Sequence, residues 1–204
     1  MENKFSYKTL GGKGSAEFRD RGSSFIAYAA PIADVQEVKL QVQLLKKEHP
    51  KAAHHCFAYR LGNDGNLFRA NDDGEPSGSA GKPILGQIDS AGLSNILIVV
   101  VRYFGGTLLG VPGLINAYRS VAADALAGIP VIEKWIEEQH TITFDYPSMN
   151  EVLHLLKQCQ ATIYKQELQL FCEVSAGIPV KNIAQYLPLL SEIRGVNITK
   201  QEEK

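Results

Sequence analysis

The chain reads as a two-domain α+β protein, and three features predict this. The run Ile96-Leu97-Ile98-Val99-Val100-Val101 lies between two glycine-rich loops and has the composition of a strand buried on both faces. Up to Gly128, segments with helical apolar spacing alternate with segments of strand character. After Gly128-Ile129-Pro130 the order of elements restarts as βαββαβ.

Taken in order, Met1 to Arg21 is polar and has no apolar core of a secretory signal. Phe25 to Ala29 predicts a strand ended by Pro31. Asp34 then has the position of an N-cap, with Glu37 at capping-box spacing. Val35, Val38, Val42 and Leu45 share one helical face before His49-Pro50 closes the helix. His54 to Leu61 predicts a second strand, Gly62 to Asn66 a turn, and Leu67 to Ala70 a strand pairing back. Beyond the central strand, Pro112 marks a helix start, and Leu114, Tyr118, Val121, Ala125 and Leu126 form its buried stripe.

In the second half, Gln139 to Tyr146 alternates like a strand, with Ile142 and Phe144 on one face. Ser148 and Glu151 repeat the capping-box spacing ahead of Val152, Leu155, Leu156 and Cys159. Strands follow around 161–165 and 168–175, then a helix from Pro179 carrying Ile183, Leu187 and Leu190, which Pro188 is expected to kink or shorten. Val196 to Thr199 completes a ferredoxin-like sandwich. The expected domains are residues 1–132 and 137–204, with no low-complexity tract or simple repeat.

With 204 residues, 45% of them hydrophobic, the chain can bury a substantial core. A net charge of −1 argues against a surface built for duplex DNA, although a local basic face is compatible with it. Cys56, Cys159 and Cys172 form an odd, sparse set that fits a reducing cytosol better than a disulfide framework. No window approaches the length of a membrane span, so the expected setting is cytoplasmic, without a membrane partner.

Several constellations bear on chemistry. Gly81-Lys82-Pro83 imitates a phosphate loop but puts proline where a magnesium-binding hydroxyl belongs, and no G-x-G-x-x-G pattern is present. Gly105 to Gly113 follows a strand and leads into a helix start, which suits either an anion or a tight connection that needs glycine for packing. His54-His55-Cys56 invites a metal reading. On a strand, however, His54 and Cys56 share one side and His55 takes the other, and no further ligands are spaced to complete a site, so neither metal nor cofactor is expected. Asp72, Asp73 and Glu75 would bond local N–H groups in their turn, or act with His55 in acid–base chemistry, where His55 and Asp73 are the catalytic candidates. Arg102, directly after an apolar strand, must pair with one of those carboxylates or meet an external phosphate. Tyr103 and Phe104 would stack a base or belong to the core.

Three ordered blocks carry a family resemblance: His54-His55-Cys56-x-Ala58-Tyr59, then Asp72-Asp73-Gly74-Glu75-Pro76-x-Gly78-Ser79-Ala80-Gly81-x-Pro83, then Val99 to Gly106 with Leu109-Gly110-x-x-Gly113-Leu114-x-x-Ala117-Tyr118. Over roughly residues 15–130 the chain closely resembles the IMPACT/YigZ family. The resemblance implies an amino-terminal domain with the fold of the second domain of a small-subunit ribosomal protein, followed by a domain similar to late domains of elongation factor G. Eukaryotic relatives restrain a stress kinase that acts on a translation initiation factor, by competing for its activator. That role is not carried over, because the domain arrangement here looks bacterial, and bacterial members are thought to touch RNA or the ribosome. The family's strongest blocks fall on His54, His55, Asp72, Asp73, Gly74, Glu75, Pro76, Arg102, Gly105 and Gly106. Three positions depart from the usual pattern: Ser24 in place of a basic residue, Ser79 in place of threonine, and Pro112 where glycine is common.

The expectation is therefore an RNA- or ribosome-associated protein in translational regulation. Lys82, Arg102, Tyr103, Gly105 and Gly106 would form its nucleic-acid or anion contact. The alternatives are a hydrolase of a small phosphorylated or peptide-like substrate, and a protein-interaction adaptor.

Overall fold

The computed structural model describes residues 5–201, which form two compact units. One runs from Tyr7 to Lys134, and the other holds Trp135 onward together with Phe5 and Ser6. Among the described residues no helix is long and apolar enough to cross a membrane.

The first unit is built on a five-stranded antiparallel sheet. Its strands are β2 (Gly14–Asp20), β3 (Ser23–Pro31), β4 (His54–Leu61), β5 (Leu67–Asn71) and β6 (Ile96–Tyr103), in the order β2-β3-β6-β4-β5. The apolar run is the central strand β6, buried from Ile96 to Arg102. Helix α1 (Val35–Glu48) covers one face, packing Val38 and Leu45 against Tyr59, Leu61, Leu97 and Val99. Helices α2 (Gly81–Ser90) and α3 (Gly110–Ala127) cover the other. There Ile84, Ile88, Leu114, Tyr118 and Val121 pack with Phe25, Ala27, Ile98 and Val100. Outside the large sheet, β1 (Ser6–Leu10) pairs with β7 (Val131–Trp135).

The predicted cap of α1 forms. Asp34 is extended and its carboxylate accepts the Glu37 N–H at 2.8 Å, while the Glu37 carboxylate reaches back to the Ala33 N–H at 2.7 Å. Four strands and helices go beyond the sequence reading. Strands β1 and β2 occupy the segment read only as polar, β7 (Val131–Trp135) occupies the expected domain boundary, and α2 begins inside the segment read as the first glycine loop. Pro83 falls in the first turn of α2, where its missing N–H has no intrahelical partner to lose, so the proline does not break the helix.

The second unit contains β8 (Glu137–Asp145), α4 (Met149–Gln158), β9 (Thr162–Leu168), β10 (Phe171–Pro179), α5 (Val180–Glu192) and β11 (Asn197–Lys200). The sheet order β11-β8-β10-β9 is the ferredoxin-like arrangement. Ile142, Phe144, Val152, Leu156, Val174, Ile178 and Leu190 fill its core. Two expectations are corrected. Ser148 does not cap α4, because it is the last residue of a 3₁₀ turn and has helical backbone angles, and its hydroxyl donates to the Arg194 carbonyl instead. Pro188 does not end α5, which continues to Glu192.

Gly105 lies against Gly22 so closely that a Cβ on it would stand 1.9 Å from the Gly22 carbonyl carbon, whereas Gly106 has open space but φ +85°. Gly105→Ala should therefore cost more than about 2 kcal/mol in urea unfolding, by the overpacking mechanism. Gly106→Ala should cost only the roughly 1–2 kcal/mol of a left-handed residue. Equal costs would show that the Gly22–Gly105 contact yields.

Candidate functional site

The segment from Asp72 to Ala80 is fixed by its own carboxylates. Asp72 accepts N–H bonds from Gly78 and Gly81 at 2.8 Å and from Ala80 at 3.1 Å, so it fills the uncapped start of α2 from within. Burial raises the Asp72 carboxyl, but these N–H groups and Lys82 outweigh it, leaving it below the ordinary aspartate value. Asp73, at φ +40°, ties the loop to β4. Its carboxylate accepts the His55 N–H at 2.7 Å and the Lys46 ammonium at 3.2 Å, and its carbonyl accepts from His54 Nδ1 at 2.8 Å.

Glu75 carries the loop into the core. Its Oε1 accepts from Arg102 Nη1 at 2.6 Å and from the Tyr118 hydroxyl at 2.7 Å. Both members of the ion pair are buried. Arg102 Nη2 stands 3.5 Å from Ser23 Oγ, which also accepts the Gly105 N–H at 3.1 Å, and Arg102 Nε has no hydrogen-bond partner. The guanidinium lies over the rings of Phe25 and Phe104, 5.3 and 5.6 Å from their centroids. Cys56 Sγ is 3.3 Å from the Tyr118 hydroxyl, and burial pushes the thiol up to about 12 and raises the Tyr118 hydroxyl as well. A thiol in that state is no nucleophile at neutral pH.

The residues singled out in the sequence divide between the two faces of the sheet. His54, Cys56, Glu75 and Arg102 meet on the α2/α3 side. His55 and Tyr103 lie on the α1 side, where Tyr103 hydrogen-bonds His49 Nδ1 at 2.9 Å and His49 Nε2 meets the Tyr28 hydroxyl at 2.8 Å. Tyr103 is thus engaged with the end of α1. His55 Nδ1 is 3.9 Å from the Asp73 carboxylate, and its Nε2 is buried without a partner. Burial lowers its pKa, with Asp73 opposing. The Gly105 N–H, one of those expected to face an anion, is spent on Ser23, and Gly74 and Gly106 supply left-handed backbone at the two turns. No group of three or more His, Cys, Asp or Glu among the described residues could hold a metal ion.

Lys82 is placed differently from Arg102. It projects from the first turn of α2 and, with Arg119 of α3, lines an open groove of about 490 Å³ together with Gly78, Gln87, Ser90 and Ile115. Both cations are exposed. Arg119 had no motif to mark it, because a lone arginine after a buried tyrosine reads as a solvated position. Neither this groove nor the one between α1 and β5, lined by Val35, Val42, Phe57 and Arg69 among others, is lined by His55 or Asp73.

Removing one partner of a buried ion pair strands the other charge. Arg102→Met alone should therefore cost about 3 kcal/mol in urea unfolding, and combining it with Glu75→Leu should restore most of that. Because the folded Asp72 carboxyl sits below its unfolded value, its contribution is complete above the ordinary aspartate range, near pH 3.9, and is lost as pH falls through the folded value. The stability gap between the parent and Asp72→Asn should accordingly be widest near neutral pH and narrow in acid. A gap independent of pH would contradict this.

The Impact N-terminal domain family matches residues 21–126. The Escherichia coli protein IMPACT family member YigZ is 35% identical over 172 residues, covering 83% of this chain and 84% of that protein. Bacillus subtilis IMPACT family member YvyE is 36% identical over 155 residues, covering 76% and 71%. A crystal structure described as that of a hypothetical protein superimposes with a TM-score of 0.75 at 32% identity, covering 98% of this chain and 99% of that one. The three sequence blocks, which fold here into one sheet end and its two loops, and similarity that extends over most of the chain place this protein in the IMPACT family.

Proposed function

We propose that the protein binds RNA, free or within the ribosome, and through that contact regulates translation in the cytoplasm. Membership in the IMPACT family supports the translational setting, as the resemblance of the sequence blocks implies. The observation that carries the contact is the groove between α2 and α3, where Lys82 and Arg119 face solvent beside Gly78, Gln87 and Ser90. Two cations and a side-chain amide along an open groove suit a phosphate backbone more than an enclosed substrate. The neutral overall balance, with 21 basic and 22 acidic residues, fits a local phosphate contact rather than a broad basic surface. In this reading Arg102 and Glu75 hold the loop that sets Gly78 at the groove's rim, and Lys82 and Arg119 meet the phosphates. Acid–base catalysis by His55 and Asp73 has less to support it, since the Asp73 carboxylate is engaged by the His55 backbone N–H and Lys46 and the buried His55 ring lines neither groove.

The test is fluorescence anisotropy with a single-stranded RNA oligonucleotide, alongside gradient sedimentation with ribosomal particles at two salt concentrations. Lys82→Glu with Arg119→Glu should weaken RNA binding by about tenfold and reduce the log–log salt slope by about 1.4, the value for two single-strand phosphate contacts. Parent protein that neither binds the oligonucleotide nor leaves the top of the gradient at low salt would overturn the proposal. So would a double variant that binds like the parent.

A further inference from the structure

We propose that the free edge of β5 and the groove between β5 and α1 form a docking site for an extended acidic segment of a partner protein, laid beside β5 as a sixth strand. The site lies on the opposite face of the sheet from Lys82 and Arg119 and stands independently of the RNA reading. β5 ends the sheet order and pairs only with β4 among the described residues. Its register is unbroken from Leu61↔Leu67 to Phe57↔Asn71, and Leu67 to Ala70 are exposed. Edge strands are usually blunted by proline, a bulge or repeated charge. β5 has neither proline nor bulge, bears one charge, Arg69, and presents Leu67 and Phe68 more than half exposed, at 53% and 54%.

The adjoining groove supplies the second half of the site. Val35, Val38 and Val42 of α1 and Phe57 and Tyr59 of β4 give it an apolar lining. At about 250 Å³ it falls below the range of small-molecule cavities and suits apolar side chains presented by a strand. Lys39, Lys46 and Arg69 surround it, and no carboxylate lines it. Asp73 holds Lys46 at 3.2 Å, whereas Lys39 and Arg69 make no ion pair among the described residues. That charge selects the occupant. A second copy pairing antiparallel through β5 about its central residue would set Arg69 opposite Arg69, which like-charge repulsion disfavours. A strand whose groove-facing positions, every second residue, take glutamate and leucine or valine in turn would instead bring carboxylates to the three cations and apolar side chains to the groove on one face of the sheet.

The experiment titrates the full chain into a short fluorescent peptide with glutamate and leucine or valine in turn at every second position and threonine between them. A version with lysine for glutamate, and a single-stranded RNA oligonucleotide as competitor, serve as controls. The acidic peptide should bind and the basic version should not. Lys39→Glu with Arg69→Glu should weaken binding about tenfold or more, a difference of about 1.4 kcal/mol. Amide hydrogen exchange should slow in β5. Absence of binding at peptide concentrations on the order of 1 mM would overturn the proposal. Equal binding of both peptides, indifference to the charge reversals, displacement by RNA, or protection confined outside β5 and α1 would do the same. A concentration-dependent dimer that protects β5 from exchange would assign the edge to a second copy instead.

Discussion

A carboxylate and a guanidinium removed from water at the end of a five-stranded sheet are tolerable only if each satisfies the other, and this constraint organises the first unit. Glu75 enters from a loop, Arg102 from the end of the central strand, and Tyr118 from the middle of α3. Desolvation makes a misplaced partner costly, so the network fixes three elements distant in sequence relative to one another. The closeness of Gly22 to Gly105 belongs to the same requirement. Ser23 Oγ serves both Arg102 and the Gly105 N–H, which is possible only if the β2–β3 turn and the loop after β6 touch backbone to backbone.

The sheet also separates tasks by its pleat. Neighbouring residues on one strand face opposite layers, so His54 and His55, or Arg102 and Tyr103, enter unrelated environments. One layer holds the buried charge network against α2 and α3. The other holds the Tyr28–His49–Tyr103 chain against the end of α1. Asp73 bridges the two layers, bonding His54 through its carbonyl and the His55 N–H and Lys46 through its carboxylate. A dense motif in the sequence is thus two half-sites back to back.

What could be read from the sequence, and what could not, follows from the range of the forces involved. The cap at Asp34 and Glu37 was legible because it is local and its backbone is extended, φ −152° and ψ 175°. Ser148 and Glu151 show the same spacing, but Ser148 sits at φ −83° and ψ −5°, where its hydroxyl cannot reach the helix N–H groups. The central strand and the face of α3 were legible from apolar spacing alone. Helix α2 was not, because Gly81, Pro83 and Gly86 look like punctuation, and burial of Ile84 and Ile88 decides the matter instead. Arg102 needed an anion, either a carboxylate of this chain or an external phosphate. Which of three carboxylates it takes depends on a loop that Asp72 folds by collecting backbone N–H groups, and no spacing rule records that. Arg119 gains its significance from Lys82 on a different helix, a juxtaposition made only by tertiary packing.

The pairing of β1 with β7 sets the strand that enters the first unit beside the strand that leaves it, and the Gly11 N–H reaches the Pro130 carbonyl at 2.8 Å. A module whose entry and exit are neighbours can be spliced into another polypeptide without stretching either connection. Among the described residues, its main hydrophobic core and its charge network are drawn from Leu10 to Ile129. Such a unit is portable, able to keep its shape while its neighbours along the chain are exchanged.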